Sequence, residues 1–199
     1  YTAYELSEKY KLPVLIRVTT RLAHSRSGVE RQALKPQRET MIPEDHTQFI
    51  LLPAFARKRY RGLLEQQPSL ETDAAEMGFN VMLKGNDRSR GILACGIAYN
   101  YYMEIATRYR LDHPVLKIAH YPVPPGMLQE LADDTEEILI LEEGYPMLEE
   151  LMTGALKNSY RIRGRLSGDI PRDGELNPGI VAKALGIAEQ EGLKVPPVV

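Results

Sequence analysis

Arg17, Thr19, Thr20, Arg21, His24 and Ser25 form the densest polar cluster of the chain. An arginine presents a planar fork of donors that grips a carboxylate in bidentate fashion, and a neighbouring histidine donates a further hydrogen bond. The chemistry that suits this combination is recognition of a small carboxylate-bearing substrate, with Arg21, His24 and Ser25 as substrate-binding residues. A competing reading has Arg21 and Arg26 pairing with acidic residues of a neighbouring domain, and the residues alone leave both open. Glu142 and Glu143 offer a second pair for acid–base work, but adjacent residues of a strand point to opposite faces. A turn or interface role therefore fits them better.

Other chemistries lack their residues. His24, His46, His113 and His120 stand too far apart for a local metal motif, and solvated or hydrogen-bonded loop positions suit at least three of them. Cys95 is the single cysteine, so the chain closes no internal disulfide and supplies no four-thiolate cluster site. Within Ile92-Leu93-Ala94-Cys95 it reads as a buried small hydrophobe. Gly91 and Gly96 do not make the G-x-G-x-x-G spacing of a dinucleotide turn, and no phosphate-cradling G-x-x-x-x-G-K-[ST] or nucleophile-elbow G-x-S-x-G occurs.

The elements that must position the polar cluster come next. Tyr4, Leu6, Tyr10 and Leu12 suit a helix leading into a strand at Val14–Val18, which would set Thr19–Ser25 at the carboxyl end of a parallel strand, where open α/β sheets bind ligands. One such helix–strand repeat cannot cover both faces of a sheet. With no initial methionine, the chain reads as an internal segment whose earlier strands lie elsewhere. Residues 25–48 are polar and proline-punctuated, as a connector is. Phe49–Leu52 precedes a helix expected from Pro53 to about Gln66, whose Arg57-Lys58-Arg59-Tyr60-Arg61 run suits a solvated or domain-facing surface.

Beyond this point apolar runs alternate with helical periods. Strands are expected at Phe79–Leu83, Ile92–Cys95, Val115–Ala119 and Ile138–Leu141, with an alternating edge strand at Tyr160–Arg163. Helices are expected over Ile97–Tyr109, Pro125–Asp133 and Pro146–Leu156, and a last one begins at Asn177 as cap with Pro178 in its first turn. Three strand–helix repeats predict a parallel, doubly wound α/β sheet.

Composition is consistent with a soluble globular chain. The 199 residues are 43% apolar, and 25 basic against 27 acidic side chains leave a net charge of −2. That balance exerts no pull on nucleic acid or an anionic membrane. No run is long and apolar enough to span a bilayer and no signal-peptide order opens the chain, so a cytoplasmic location is expected.

Several phrases, taken in order, carry a family resemblance. They are Tyr4-Glu5-Leu6-Ser7-Glu8 with Pro13–Arg17 and Thr19–Ser25; Gly91-Ile92 with Gly96–Tyr101; Leu116-Lys117 with Tyr121-Pro122-Val123-Pro124; Glu142-Glu143-Gly144-Tyr145-Pro146 with Glu149-Glu150; and Gly174-Glu175-Leu176-Asn177-Pro178. In these the chain resembles the alpha subunits of the indolepyruvate ferredoxin oxidoreductases, a family of thiamine-diphosphate-dependent 2-oxoacid:ferredoxin oxidoreductases. The resemblance implies that residues 1–30 are the tail of a pyrimidine-binding α/β domain, its last helix–strand repeat. Residues 31–78 would then be a connector with a helix, and 79–199 a transketolase C-terminal-like three-layer parallel sheet domain.

The activity so implied is oxidative decarboxylation of indolepyruvate and related aryl 2-oxoacids to acyl-CoA, with ferredoxin as electron acceptor. Thiamine diphosphate, magnesium, coenzyme A and iron–sulfur clusters serve the full enzyme, and none is expected on this segment alone. The thiamine-activating glutamate would lie upstream of Tyr1, and the diphosphate and magnesium motif downstream of Val199. Implied partners are the beta subunit, ferredoxin and the 2-oxoacid, with a homodimer as a further assembly and neither nucleic acid nor membrane. Two alternatives stand beside this reading: a non-catalytic interaction module, and an α/β domain that binds coenzyme A or a nucleotide.

Overall fold

The first helix, α1 (Thr2–Tyr10), ends where Lys11 turns left-handed at φ 55° and Ser7 Oγ donates to the Leu12 carbonyl at 2.7 Å. The computed structural model describes residues 1–37, 41–155 and 161–188, which fall into two compact units, Tyr1–Gln66 and Gln67–Val199. In the first unit α1 is followed by the short α2 (Thr20–His24) and by α3 (Pro53–Glu76), which runs on into the second. The strand expected at Val14–Val18 does not form. That stretch is exposed, and no described strand pairs with it. A strand exists only through a partner's ladder of hydrogen bonds, so β-branched composition alone does not produce one.

Helix α3 continues ten residues past its expected end at Gln66, straight through Pro68. An interior proline removes one backbone bond and crowds the preceding turn, a cost of about 3 kcal/mol. Packing offsets it: Ala74 is wholly buried, and its carbonyl accepts from Asn80 Nδ2 at 3.0 Å.

The second unit is built on β1 (Val81–Leu83), β2 (Gly91–Cys95), α4 (Ala98–Tyr109), β3 (Val115–Ile118), α5 (Pro125–Asp134), β4 (Glu137–Leu141), α6 (Met147–Ala155), β5 (Arg161–Arg163) and α7 (Pro178–Ala184). Leu156 and Tyr160, expected at the ends of α6 and β5, lie outside the described residues. The strands order as β1-β3-β2-β4-β5, parallel except for β1, which pairs antiparallel with β3. Strands covered on both faces read as unbroken apolar runs, and Ile92, Leu93 and Ala94 in β2 and Ile138–Leu141 in β4 are all buried.

Their side chains divide by alternation. Ile92, Ala94, Leu139 and Leu141 pack with α4 and α7 on one face, while Leu93, Leu116, Ile138 and Ile140 pack with α5 and α6 on the other. The result is a three-layer α/β/α unit. Helix α7 begins as its sequence predicts: Asn177 Oδ1 accepts from the Ile180 amide at 3.0 Å, a cap worth about 1 kcal/mol.

Candidate functional site

Within the first unit, the polar cluster sits on α2. Thr19 caps the helix by accepting from the Leu22 amide at 3.4 Å, and Ser25 closes it by donating to the Leu22 carbonyl at 2.7 Å. Arg21 and His24, three residues apart on this helix, lie on one side of it. Arg21, His24 and Ser25 are all exposed. They are thus gathered on one short helix rather than at the end of a sheet strand. Ser25 already uses its hydroxyl as a cap, which the sequence pattern did not reveal.

Within the second unit, ligand geometry is set by topology. The chain leaves β2 through α4 to one face and leaves the adjacent β4 through α6 to the other. The carboxyl ends of β2 and β4 therefore flank the switch point at which open α/β sheets bind ligands. Cys95 stands at this edge, half-buried rather than buried as expected, with Sγ 3.4 Å from the Tyr121 hydroxyl. The turn after β3 is held by Asn80, 3% exposed. Asn80 Oδ1 accepts from the Ala119 and His120 amides at 2.8 and 2.9 Å, and its Nδ2 donates to the carbonyls of His120 and Ala74. His120 lies edge-on to Phe79 with centroids 5.9 Å apart, and its buried Nδ1 has no hydrogen-bond partner.

The acidic phrase after β4 is structural. Glu142 is buried, and its carboxylate accepts from the Leu148 and Glu149 amides at 3.0 and 3.2 Å, satisfying the first turn of α6. Burial pushes the Glu142 carboxyl above its ordinary range; the two amides pull the other way and the charge of Glu149 adds to the rise. Glu149, also buried, accepts from the Leu166 amide at 3.1 and 3.0 Å. Gly164 lies close against it: a Cβ there would meet Glu149 Oε2 at 2.7 Å and the carboxylate would have to shift. Arg165, 4% exposed, donates from Nε to the Glu142 carbonyl at 3.0 Å and from Nη1 to the Pro171 and Arg172 carbonyls. Glu143 accepts from the Leu176 amide at 3.2 Å. These bonds carry the segment after β5 across the end of β4 and leave neither glutamate placed as a free acid or base.

A second polar network joins the strands from the side. Arg90 and Arg163 both reach Glu137 Oε1, at 2.6 and 3.2 Å, and Arg163 also pairs with Asp169. Burial pushes the Glu137 carboxyl up, but the two arginines outweigh it and hold it below its ordinary range; Asp169 is lowered chiefly by its bond to Arg163. Carboxyls depressed in the fold stabilise it above their unfolded values, and that contribution is lost as pH falls through the folded values. Urea midpoints of the unit are therefore expected to drop on acidification below about pH 4, and Arg163→Gln is expected to flatten that drop.

Among the described residues no group of three His, Cys, Asp or Glu side chains is placed to hold a metal ion. No described helix is long and apolar enough to cross a membrane. A groove of about 340 Å³ lined by Met82, Lys84, Arg88, Glu130, Asp133 and Asp134 opens at the amino end of β3, away from the carboxyl ends of β2 and β4.

No family model matches the chain. The indolepyruvate oxidoreductase subunit IorA of Methanothermobacter thermautotrophicus is 34% identical over 189 residues, covering 92% of this chain and 31% of that protein. The IorA subunit of Methanothermobacter marburgensis is 33% identical over 206 residues, 98% of this chain and 33% of its own, and that of Archaeoglobus fulgidus is 34% identical over 192 residues, 92% and 30%. Among solved structures, a 2-oxoglutarate:ferredoxin oxidoreductase from Magnetococcus marinus superposes with a TM-score of 0.48 and 13% identity, over 68% of this chain and 23% of that one. The chain spans about a third of the length of the curated relatives it matches. Over nearly all of its own length, the chain is homologous to the IorA subunits of indolepyruvate oxidoreductases.

Proposed function

We propose that this chain serves as a scaffolding segment of an enzyme that oxidatively decarboxylates indolepyruvate and related aryl 2-oxoacids. The carboxylate carbon leaves as carbon dioxide, the acyl group passes to coenzyme A, and the electron pair goes to ferredoxin. Homology to the IorA subunits over nearly the whole chain is the observation that carries this reading. In it, residues 1–30 are the tail of a pyrimidine-binding domain and residues 79–199 a transketolase C-terminal-like domain. The α/β/α layering with a parallel central sheet supports the second assignment.

The donor chemistry of the chain fits a supporting role. A single cysteine cannot by itself hold an iron–sulfur cluster. In this reading the clusters, the thiamine diphosphate and its magnesium are held by other parts of the enzyme. The first unit is suited to being covered by such parts. Tyr10 is its one buried hydrophobic among the described residues, while Leu15, Leu34 and Ile42 are more than four-fifths exposed. Apolar exposure on this scale marks interaction surfaces, and in this reading they face neighbouring domains, the beta subunit or a second copy.

The test is indolepyruvate-dependent reduction of ferredoxin by the full-length protein co-purified with its partner subunit, in the presence of coenzyme A. Failure to turn over any aryl 2-oxoacid overturns the reading. Within the same assay, Arg21 and His24 are assigned to the substrate carboxylate, and Ser25, whose hydroxyl donates to the Leu22 carbonyl, closes the helix that carries them. Arg21→Ala is expected to lower kcat/KM for indolepyruvate by about tenfold or more, the worth of one charge-assisted hydrogen bond. His24→Ala is expected to lower it less. Unchanged kinetics in both variants would remove α2 from the substrate site.

A further inference from the structure

Two stretches far apart in sequence meet at the start of α6. Arg172, in the exposed stretch 171–175 between β5 and α7, lies over the ring of Tyr145 with its guanidinium carbon 5.9 Å from the centroid. Each partner is held from behind. Nη1 of the buried Arg165 donates to the Pro171 and Arg172 carbonyls at 2.8 and 2.9 Å, and the Tyr145 hydroxyl donates to Glu150 of α6 at 2.7 Å. Stacking on a ring restricts a long side chain that is otherwise free to turn, at a loss of rotamer entropy. Yet Arg172 stays exposed and forms no ion pair among the described residues. A guanidinium ordered in advance in this way is ready to receive a carboxylate.

The surroundings indicate what brings that carboxylate. Tyr145 is 65% exposed, and Met147, Leu151 and Leu166 are each about half exposed. Met147 and Leu151 stand one turn apart on α6, and the Leu166 amide is tied to Glu149 of the same helix, so all four belong to the first turns of α6 and what is bound to them. Single exposed apolar side chains are ordinary on a protein surface, whereas a group of them marks an interaction site. A small ligand lying on so open a ring leaves most of itself in water, and small-molecule sites bury most of their ligand. Tyrosine, methionine and arginine are enriched where two proteins meet, and tyrosine and arginine supply much of the binding energy there. A second copy of the chain fits less well. Contact centred on Arg172 about a twofold axis sets that cation against its own counterpart.

We propose that this surface, centred on Arg172 over Tyr145, docks the partner subunit of the oxidoreductase, with Arg172 gripping a carboxylate set within an apolar patch of that subunit. The assignment rests on the proposed function, in which the chain is part of one subunit of a multisubunit enzyme. Arg165 and Glu150 act from beneath as positioning residues: one holds the backbone that carries the guanidinium, the other the ring on which it lies. Met147, Leu151 and Leu166 exclude water around the ion pair, which strengthens it.

Titration calorimetry of the purified full-length protein with the purified partner subunit tests the proposal. Arg172→Ala is expected to weaken binding about thirtyfold or more, the loss at an interface hot spot. Arg172→Lys is expected to restore little of it, because an ammonium lacks the planar fork. Leu166→Asp is expected to weaken binding about tenfold. Urea midpoints are expected to stay unchanged in all three, since each site is exposed. Unaltered affinity in Arg172→Ala overturns the proposal, as does a loss confined to association of the protein with its own copies, or a full-length protein that does not bind the subunit at all. Turnover is read separately on the same complexes. A complex that shows these affinity losses but oxidises no aryl 2-oxoacid overturns the enzymatic reading and supports the docking surface. An active complex whose affinity ignores Arg172→Ala overturns the docking surface alone.

Discussion

Asn80→Ala is expected to destabilise the Gln67–Val199 unit by about 3–5 kcal/mol in urea unfolding, because each buried backbone group left unpaired costs about 1–3 kcal/mol. The side chain makes four hydrogen bonds, two accepted from Ala119 and His120 and two donated to Ala74 and His120. Truncation strands all of them in a site too buried for bulk water to replace every one. Asn80→Asp separates the donated from the accepted half. The carboxylate preserves both accepted bonds, but it faces two carbonyls with no hydrogen to give. Its carboxyl is then expected to be raised in the fold. The variant is therefore expected to be nearest to the unaltered protein in acid and to lose stability as pH rises through the raised value. A variant equally stable at pH 5 and pH 8, within about 0.5 kcal/mol, would show that the two carbonyls do not depend on Asn80.

Asn80 also shows where the sequence is silent. It stands inside Phe79-Asn80-Val81-Met82-Leu83, where a strand was legible from apolar content, and an amide within such a run signals a buried hydrogen-bonding task without saying which backbone it serves. Its partners lie across the turn after β3 and at the end of α3, contacts that only tertiary structure brings together. The three central strands were legible because burial on both faces leaves an unbroken apolar run, and α7 because Asn177 and Pro178 specify a helix start locally. Val14–Val18 has the same kind of composition as those strands and fails to become one, since pairing is a property of two segments. Helix α3 runs past its expected end at Gln66 for the opposite reason: Pro68 disfavours a helix locally, and the packing of Ala74 carries the helix through it. At the candidate site, Arg21, His24 and Ser25 were legible as a polar cluster, but the capping duty of Ser25 was not. The bonds from the Leu166 amide to Glu149 and from Arg165 to the Glu142 carbonyl were missed because each spans more than fifteen residues.

Leu139→Ala is expected to cost the second unit about 2–5 kcal/mol, the range for emptying a closely packed leucine site. Leu139 is wholly buried in the central strand β4, between the flanking strands β2 and β5 and under α4 and α7, so neighbouring groups have little room to collapse into the space. Leu15 is the counterpart that separates folding from assembly. It is 96% exposed, and surface substitutions of that kind stay within about 0.5 kcal/mol. Leu15→Asp is therefore expected to leave the urea midpoint of the chain unchanged. In the full-length protein the same substitution is expected to weaken association with neighbouring domains or subunits, read by sedimentation and by the yield of co-purified partner. Apolar surface left uncovered in the first unit then has its purpose in assembly, whereas the apolar surface of β4 has its purpose in the fold. A Leu15→Asp protein that unfolds as early as Leu139→Ala would place Leu15 in a core that the chain itself completes. One that assembles as fully as the unaltered protein would remove Val14–Val18 from the interface.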